Sequence, residues 1–177
     1  MAAKGFIELL RLADLAEARK SGRHNIQKSQ WTGIVFEMAG ERFVAPMGEI
    51  NEVLSFPEYT SVPLVKPWLL GVANVRGRLL PLTDMVAFLE QDNKVRLNQK
   101  KVLVVDQEPY YLGLVVDRVM GIQSFVESQY RAEALPIDSP FAKFNHGKFY
   151  KDEQDWLIFM PSLLVQDNRF MDAVAVN

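Results

Sequence analysis

The spacing of hydrophobic residues changes near residue 31. Before it, Phe6, Leu9, Leu10, Ala13 and Ala16 recur at helical spacing, with Ile7 and Leu12 widening the apolar face and Leu15 breaking it. This predicts a helix that stops at Ser21-Gly22, followed by a polar linker to Gln30. From Trp31 the period becomes two. Ile34, Phe36 and Met38 alternate with Val35 and Glu37, and Ala39-Gly40-Glu41 turns the chain into Arg42-Phe43-Val44. Short apolar runs follow at 50–54, 69–74, 78–82, 102–105, 111–116, 119–122 and 156–160, separated by Pro, Gly, Asn and Asp. Asn145-His146-Gly147 reads as a further hairpin turn. Many short strands with little long helical pattern predict a mainly β fold, antiparallel and closed into small barrels. There are too many strands for one small barrel, so two packed barrels fit better. The expected division is a helix and linker over 1–30, the β domain over 31–165 and a tail over 166–177.

Composition narrows the function classes. A chain of 177 residues with 49% hydrophobic positions can bury a real core. The 20 basic and 22 acidic residues give a net charge of −2, which lacks the basic footprint of a nucleic-acid binder. The charge is unevenly spread: residues 1–30 carry 6 basic and 3 acidic residues, a net of +3, and the remainder carries −5. There is no cysteine, which excludes disulfide scaffolds, thiol catalysis and cysteine zinc sites. With only His24 and His146, histidine metal sites and relays are also poor candidates. The first turns carry Lys4, Glu8, Arg11 and Asp14, which is unlike a secretory signal. The apolar stretch 156–165 is about half the ~20 residues of a membrane helix and contains Pro161. The expectation is a cytoplasmic protein with no direct membrane insertion and no cofactor or metal.

No phosphate loop, dinucleotide glycine pattern, nucleophile elbow or zinc helix occurs in the chain. Asp84, Asp106 and Asp117 stand at strand ends, where turn initiation or solvation is the ordinary reading. Phe141, Phe144, Phe149 and Tyr150 suggest a stacking platform for single strands, but the charge favours core and hairpin packing instead. Two charges stand out. If 50–56 is extended, Ile50, Glu52, Leu54 and Phe56 share one face, placing the Glu52 carboxylate among apolar neighbours. Arg76 likewise lies in an apolar run. Half-buried charges need partners, so Glu52 and Arg76 are expected to pair.

That same run carries a family resemblance. Gly71-Val72-Ala73-Asn74-Val75-Arg76-Gly77, then Pro81-Leu82-Thr83-Asp84-Met85, resembles the G-x-x-N-x-R-G and P-x-x-D-L signature of CheW-like chemotaxis adaptor domains. Gly113 to Ile122 looks like the later G-x-x-V-D-x-V motif, and Ile50-x-Glu52-Val53 also matches. The resemblance runs from about Trp31 to Val165. It implies two five-stranded β-barrels packed on a hydrophobic core and no catalytic activity. It also implies two partners: the regulatory domain of a CheA-like histidine kinase and the cytoplasmic tip of a methyl-accepting chemoreceptor. Ile50, Gly71, Asn74 and Ile122 are implied at the receptor groove between the barrels, and Glu52 with Arg76 as an ion pair beside it. Within the family the chain is most similar to the PilI type, which serves type IV pili and twitching motility. The similarity lies in the N-terminal extension, Phe43 to Glu49, Trp68 and the tail from Arg169. Three other readings remain open: the flagellar CheW coupling protein, an enzyme using strand-end carboxylates, and an oligonucleotide-binding barrel.

Overall fold

The computed structural model describes residues 30–173. The helix expected near the N-terminus lies outside them. The alternating segments form strands β1 (Gln30–Met38), β2 (Glu41–Pro46), β3 (Glu52–Ser55), β4 (Leu69–Val75), β5 (Arg78–Asp84) and β6 (Lys101–Gln107). They continue as β7 (Tyr110–Val116), β8 (Arg118–Val126), β9 (Tyr130–Arg131), β10 (Asn145–Lys151) and β11 (Gln154–Phe159). Three single-turn helices, α1 (Met85–Phe88), α2 (Pro161–Leu164) and α3 (Asn168–Met171), sit between and after them.

The strands make two curled sheets. The first runs β8-β1-β2-β11-β10-β9 and the second β3-β6-β7-β5-β4. The first therefore has six strands where five were expected, because β9 adds a two-residue edge along Lys148 and Phe149 of β10. Each sheet is also not wholly antiparallel: β11 runs parallel to β2 and β7 parallel to β5. The second sheet bends until its outer strands approach. The segment after β3 bridges β4 through Thr60 and Val72, and Glu52 of β3 meets Arg76 beyond β4.

Three two-residue hairpins carry positive φ at both central positions, the geometry that matches strand twist. They are Ala39-Gly40, Arg76-Gly77 and Asp152-Glu153. The last corrects the sequence reading. Asn145-His146-Gly147 is no turn but the start of β10, where the register with β11 shifts between Asn145 and Lys148. The Asn145 side chain bridges this bulge, accepting from Gly147 N at 2.9 Å and donating to Gly147 O at 2.8 Å. An Asn-x-Gly triplet serves a bulge as well as a turn, because both need a left-handed residue and a local side-chain acceptor.

Alternation places three apolar clusters. Trp31, Val35, Val44, Phe125, Phe149 and Ile158 fill the inside of the first sheet, with Phe125 stacked on Phe149 at 4.6 Å. Ala73, Leu80, Leu82, Val102, Val104 and Val115 fill the second. The opposite faces meet in a larger central cluster that includes Ile34, Phe36 and Phe43 from the first sheet and Leu103, Val105 and Leu114 from the second. Phe141, Phe144 and Phe149 are all buried in these clusters, while Tyr150 is exposed. The aromatic residues therefore build core. Phe170 of α3 is also buried, edge-on to Phe88 at 5.2 Å.

Candidate functional site

Glu52 and Arg76 are paired: Arg76 Nη2 donates to Glu52 Oε1 at 2.5 Å. The pair is more open than the sequence implied, with side-chain exposures of 27% for Glu52 and 77% for Arg76. The reason is the turn. Arg76 occupies the tip of the β4–β5 hairpin with φ 51°, so its neighbours in the apolar run are not its neighbours in space. An ion pair this exposed contributes roughly 0–1 kcal/mol, well short of a buried one. A second pair lies on the same sheet, where Arg78 of β5 holds Asp106 of β6 at 2.5 and 3.1 Å. Its guanidinium also stacks 3.8 Å from the ring of Tyr111 on the intervening β7. Hydrogen bonding to Arg78 lowers the pKa of Asp106 below the ordinary carboxylate value and, in turn, raises that of Arg78. Glu52, Arg78, Asp106 and Tyr111 share the inward parity of their strands, so they rim one open end of the second barrel.

The four residues implied at a groove have different surroundings. Ile50 is 5% exposed and belongs to the central cluster. Gly71 is buried in β4 with φ 148°, and a Cβ there would lie 2.1 Å from the Thr60 carbonyl oxygen. Its absence of a side chain lets the 60–61 segment close the sheet. Asn74 is exposed and caps its own hairpin, accepting from Gly77 N at 2.8 Å. Ile122 is 61% exposed on the edge strand β8, directly opposite Ile34 of the central cluster. Directly paired side chains share a face. Ile122 therefore continues the inter-sheet core out to solvent, whereas Met120, at 40% exposure, stands at the bulge where the register with β1 shifts. On the second sheet Leu79, paired with Asn74, presents another apolar surface at 65% exposure. Ile122, Met120, Leu79 and Asn74 are exposed, whereas Ile50 and Gly71 are buried.

One buried network was not legible beforehand. Lys100 is fully buried, and its Nζ lies 3.2 Å from Asp84 Oδ1 and 3.0 Å from Asp117 Oδ1. The second contact is a charge contact outside good hydrogen-bond alignment. Asp84 also caps α1, accepting from Val86 N and Ala87 N at 3.0 and 3.3 Å, and takes Asn93 Nδ2 at 2.8 Å. Asp117 accepts from Ala39 N at 2.8 Å. The two aspartates were expected to be turn or solvated residues; Asp84 does initiate the turn into α1, but both carboxylates are buried against Lys100 rather than solvated. Lys100 closes a polar loop, which gives no sequence sign of burial. The signal that existed was a carboxylate ending each of two apolar strands.

This arrangement does not suit catalysis. Asp84 spends its oxygens on three neutral donors and an ammonium, which leaves it no basic lone pair for a substrate. A surface cavity of about 140 Å³ touches Glu37, Asp92, Lys94, Asp117 and Arg118 but not Asp84. Among the described residues no cluster of His, Asp or Glu could hold a metal ion, and no helix is long and apolar enough to cross a membrane. What the surface offers is apolar patches beside fixed polar groups, the chemistry of protein recognition.

Comparison with known proteins agrees with that reading. The family model for the CheW-like domain matches residues 32–169. The chain is 46% identical over 142 residues to protein PilI of Pseudomonas aeruginosa, covering 80% of this chain and 79% of that one. It is 27% identical over 117 residues to chemotaxis protein CheW of Thermotoga maritima, covering 63% and 72%. The fold superposes on the crystal structure of the scaffolding protein CheW from Thermoanaerobacter tengcongensis with a TM-score of 0.66 at 19% identity, over 74% of this chain and 89% of that one. Members of the matched family are non-catalytic scaffolds and adaptors. Its two curled sheets, its signature run over Gly71–Gly77 and this match over most of its length together place the chain in the CheW-like domain family.

Proposed function

We propose that this chain is the cytoplasmic adaptor that couples a CheA-like histidine kinase to the tip of a methyl-accepting chemoreceptor, in a system controlling type IV pili and twitching motility. The observation that carries this reading is the 46% identity over 142 residues to PilI, against 27% to the CheW of Thermotoga maritima. The receptor side of the reading rests on Ile122, an apolar side chain on an edge strand that continues the inter-sheet core to the surface, with Met120 exposed at the neighbouring bulge. A receptor tip is helical, and a helix lays an apolar stripe into an apolar groove whose polar anchors fix its register. Asn74 and the Glu52–Arg76 pair supply such anchors on the second sheet. The domain over 31–165 carries both contacts in this proposal.

Affinity capture from an extract of the source bacterium tests the reading. Recovery of a pilus-system kinase and receptor is expected; recovery of flagellar partners alone would overturn the pilus assignment. A purified receptor-tip fragment tests the groove. Ile122→Arg is expected to weaken binding at least about tenfold, a loss of ~1.4 kcal/mol, with an unchanged melting temperature. Wild-type affinity in that variant would remove Ile122 from the contact.

A further inference from the structure

The chain crosses between the two sheets at two places. Residues 47–51 carry it from β2 to β3, and Asp117 alone carries it from β7 to β8. Asp117 is fixed to the first barrel. Its N–H donates to the Glu37 carbonyl at 3.1 Å, and its Oδ2 accepts from Ala39 N in the β1–β2 turn at 2.8 Å. Asp84 belongs to the second barrel, at the end of β5, and holds the loop after α1 by accepting from Asn93 Nδ2 at 2.8 Å. Lys100, the residue before β6, stands between the two carboxylates, 3.0 Å from Asp117 Oδ1 and 3.2 Å from Asp84 Oδ1. Among the described residues, its contact with Asp117 is the one ion pair that joins these two groups.

The same pieces wall a cleft. The cavity of about 140 Å³ is lined by Ala39 and Gly40 from the first barrel, by Lys94 and Val95 from the loop after α1, and by Asp117 where the chain crosses. Apolar packing, which seals the two sheets at the central cluster, does not seal them here. Instead each wall is tied to one carboxylate: the turn to Asp117 through Ala39, the loop to Asp84 through Asn93. Only Lys100 then links wall to wall.

Apolar burial is non-directional, so the central cluster holds the barrels together without dictating their angle. A buried ion pair is different, because any separation leaves a desolvated charge unpaired. We propose that Lys100 is a latch between the barrels: its contact with Asp117 holds the walls of the cleft at one separation and so fixes the angle between the two sheets. Strand β8, which carries Ile122, begins directly after Asp117, whereas Asn74 lies on β4. The latch therefore also sets the spacing of these two surfaces, whatever partner binds them.

The absence of cysteine allows nitroxide labels to be placed at will. One pair, Val53→Cys with Tyr150→Cys, spans the two barrels at exposed positions of β3 and β10. A control pair, Glu41→Cys with Tyr150→Cys, lies within the first sheet. Pulsed electron resonance on the full chain, well below its melting transition, is expected to give one narrow distance for each. Asp117→Asn keeps an oxygen for Ala39 N and leaves Lys100 paired with Asp84, but removes the charge that joins the walls. In that background the inter-barrel distribution is expected to widen at least about twofold while the control stays narrow. The double variant Lys100→Met with Asp117→Asn, which leaves no charge unpaired at residue 117, is expected to show the same split. An inter-barrel distance as narrow as in the unmodified background would overturn the latch, and so would equal widening of both pairs, since the first barrel itself would then be loosened. Failure of both variants to fold would make the contact a requirement of the fold and would overturn it equally.

Discussion

Replacing Lys100 by methionine isolates the worth of the buried charge network. Methionine keeps an unbranched stem of similar length and removes only the ammonium. Lys100 is fully buried, and the Asp84 and Asp117 side chains are 4% and 10% exposed. Each contact at roughly 3 Å is worth ~5 kcal/mol of attraction at an effective dielectric near 20. Most of that is offset by the cost of removing three charges from water. Deleting one member is different, because the desolvated aspartates remain and now face each other without the cation. Such deletions cost about 3–5 kcal/mol. Asp84 keeps three neutral donors, whereas Asp117 keeps only Ala39 N, so the loss falls chiefly on Asp117. The expected effect is ~3–4 kcal/mol in urea unfolding, a large share of the 5–15 kcal/mol of a typical domain. The corresponding fall in melting temperature is about 10 °C. Adding Asp117→Asn to Lys100→Met should restore part of it, because the unpaired charge is then gone. A loss below about 1 kcal/mol with an unchanged slope, or no recovery in the double variant, would refute the account.

The Arg78–Asp106 pair predicts a pH signature. The folded-state pKa of Asp106 lies below the ordinary aspartate value, so the stability it contributes is present above that ordinary value and lost as pH falls through the lower folded one. The stability gap between wild type and Asp106→Asn, followed by chemical denaturation, should close through that acid range; a gap that persists below it would exclude the pair as the cause. Gly71→Ala places a Cβ against the Thr60 carbonyl oxygen, a backbone atom that cannot swing aside. A loss of ~2–4 kcal/mol is expected from thermal unfolding, and a neutral substitution would show that the 60–61 segment is not fixed there. Ile50→Arg forces a charge into the central cluster and should unfold the domain or cost more than ~3 kcal/mol, in contrast to Ile122→Arg. A stable, soluble Ile50→Arg protein would contradict its burial.

Much of the fold was legible because half-buried strands write their own pattern. Residues 31–46 alternate as the structure does, and the runs at 69–74, 78–82 and 111–116 became β4, β5 and β7 with ends moved by one or two residues. The pairing of Glu52 with Arg76 followed from charge on an apolar face, but its burial was overstated, because a hairpin tip breaks the link between sequence neighbours and spatial ones. Lys100 was illegible for a related reason. It ends a polar stretch, and only the fold brings it between two aspartates that are 16 and 17 residues away. The Asp152-Glu153 turn was missed because neither residue is the glycine or asparagine that usually marks positive φ. The parallel pairings β2–β11 and β5–β7 could not be read either, since alternation gives the face of a strand and never its partner.

The strand order has a consequence for how the chain assembles. Every strand of the second sheet comes from one continuous stretch, residues 52–116. The first sheet is divided around it, with β1 and β2 from residues 30–46 and the rest from residues 118–159. One barrel can thus complete itself from neighbours in the chain. The other must keep its opening hairpin waiting, with Val35 and Val44 uncovered, until more than a hundred residues later β11 takes its place beside β2. The hairpin's exposed edges are a liability during synthesis, and the early completion of the inner barrel gives them a surface to rest on, because Phe36 and Phe43 pack into the same cluster as Leu103 and Leu114.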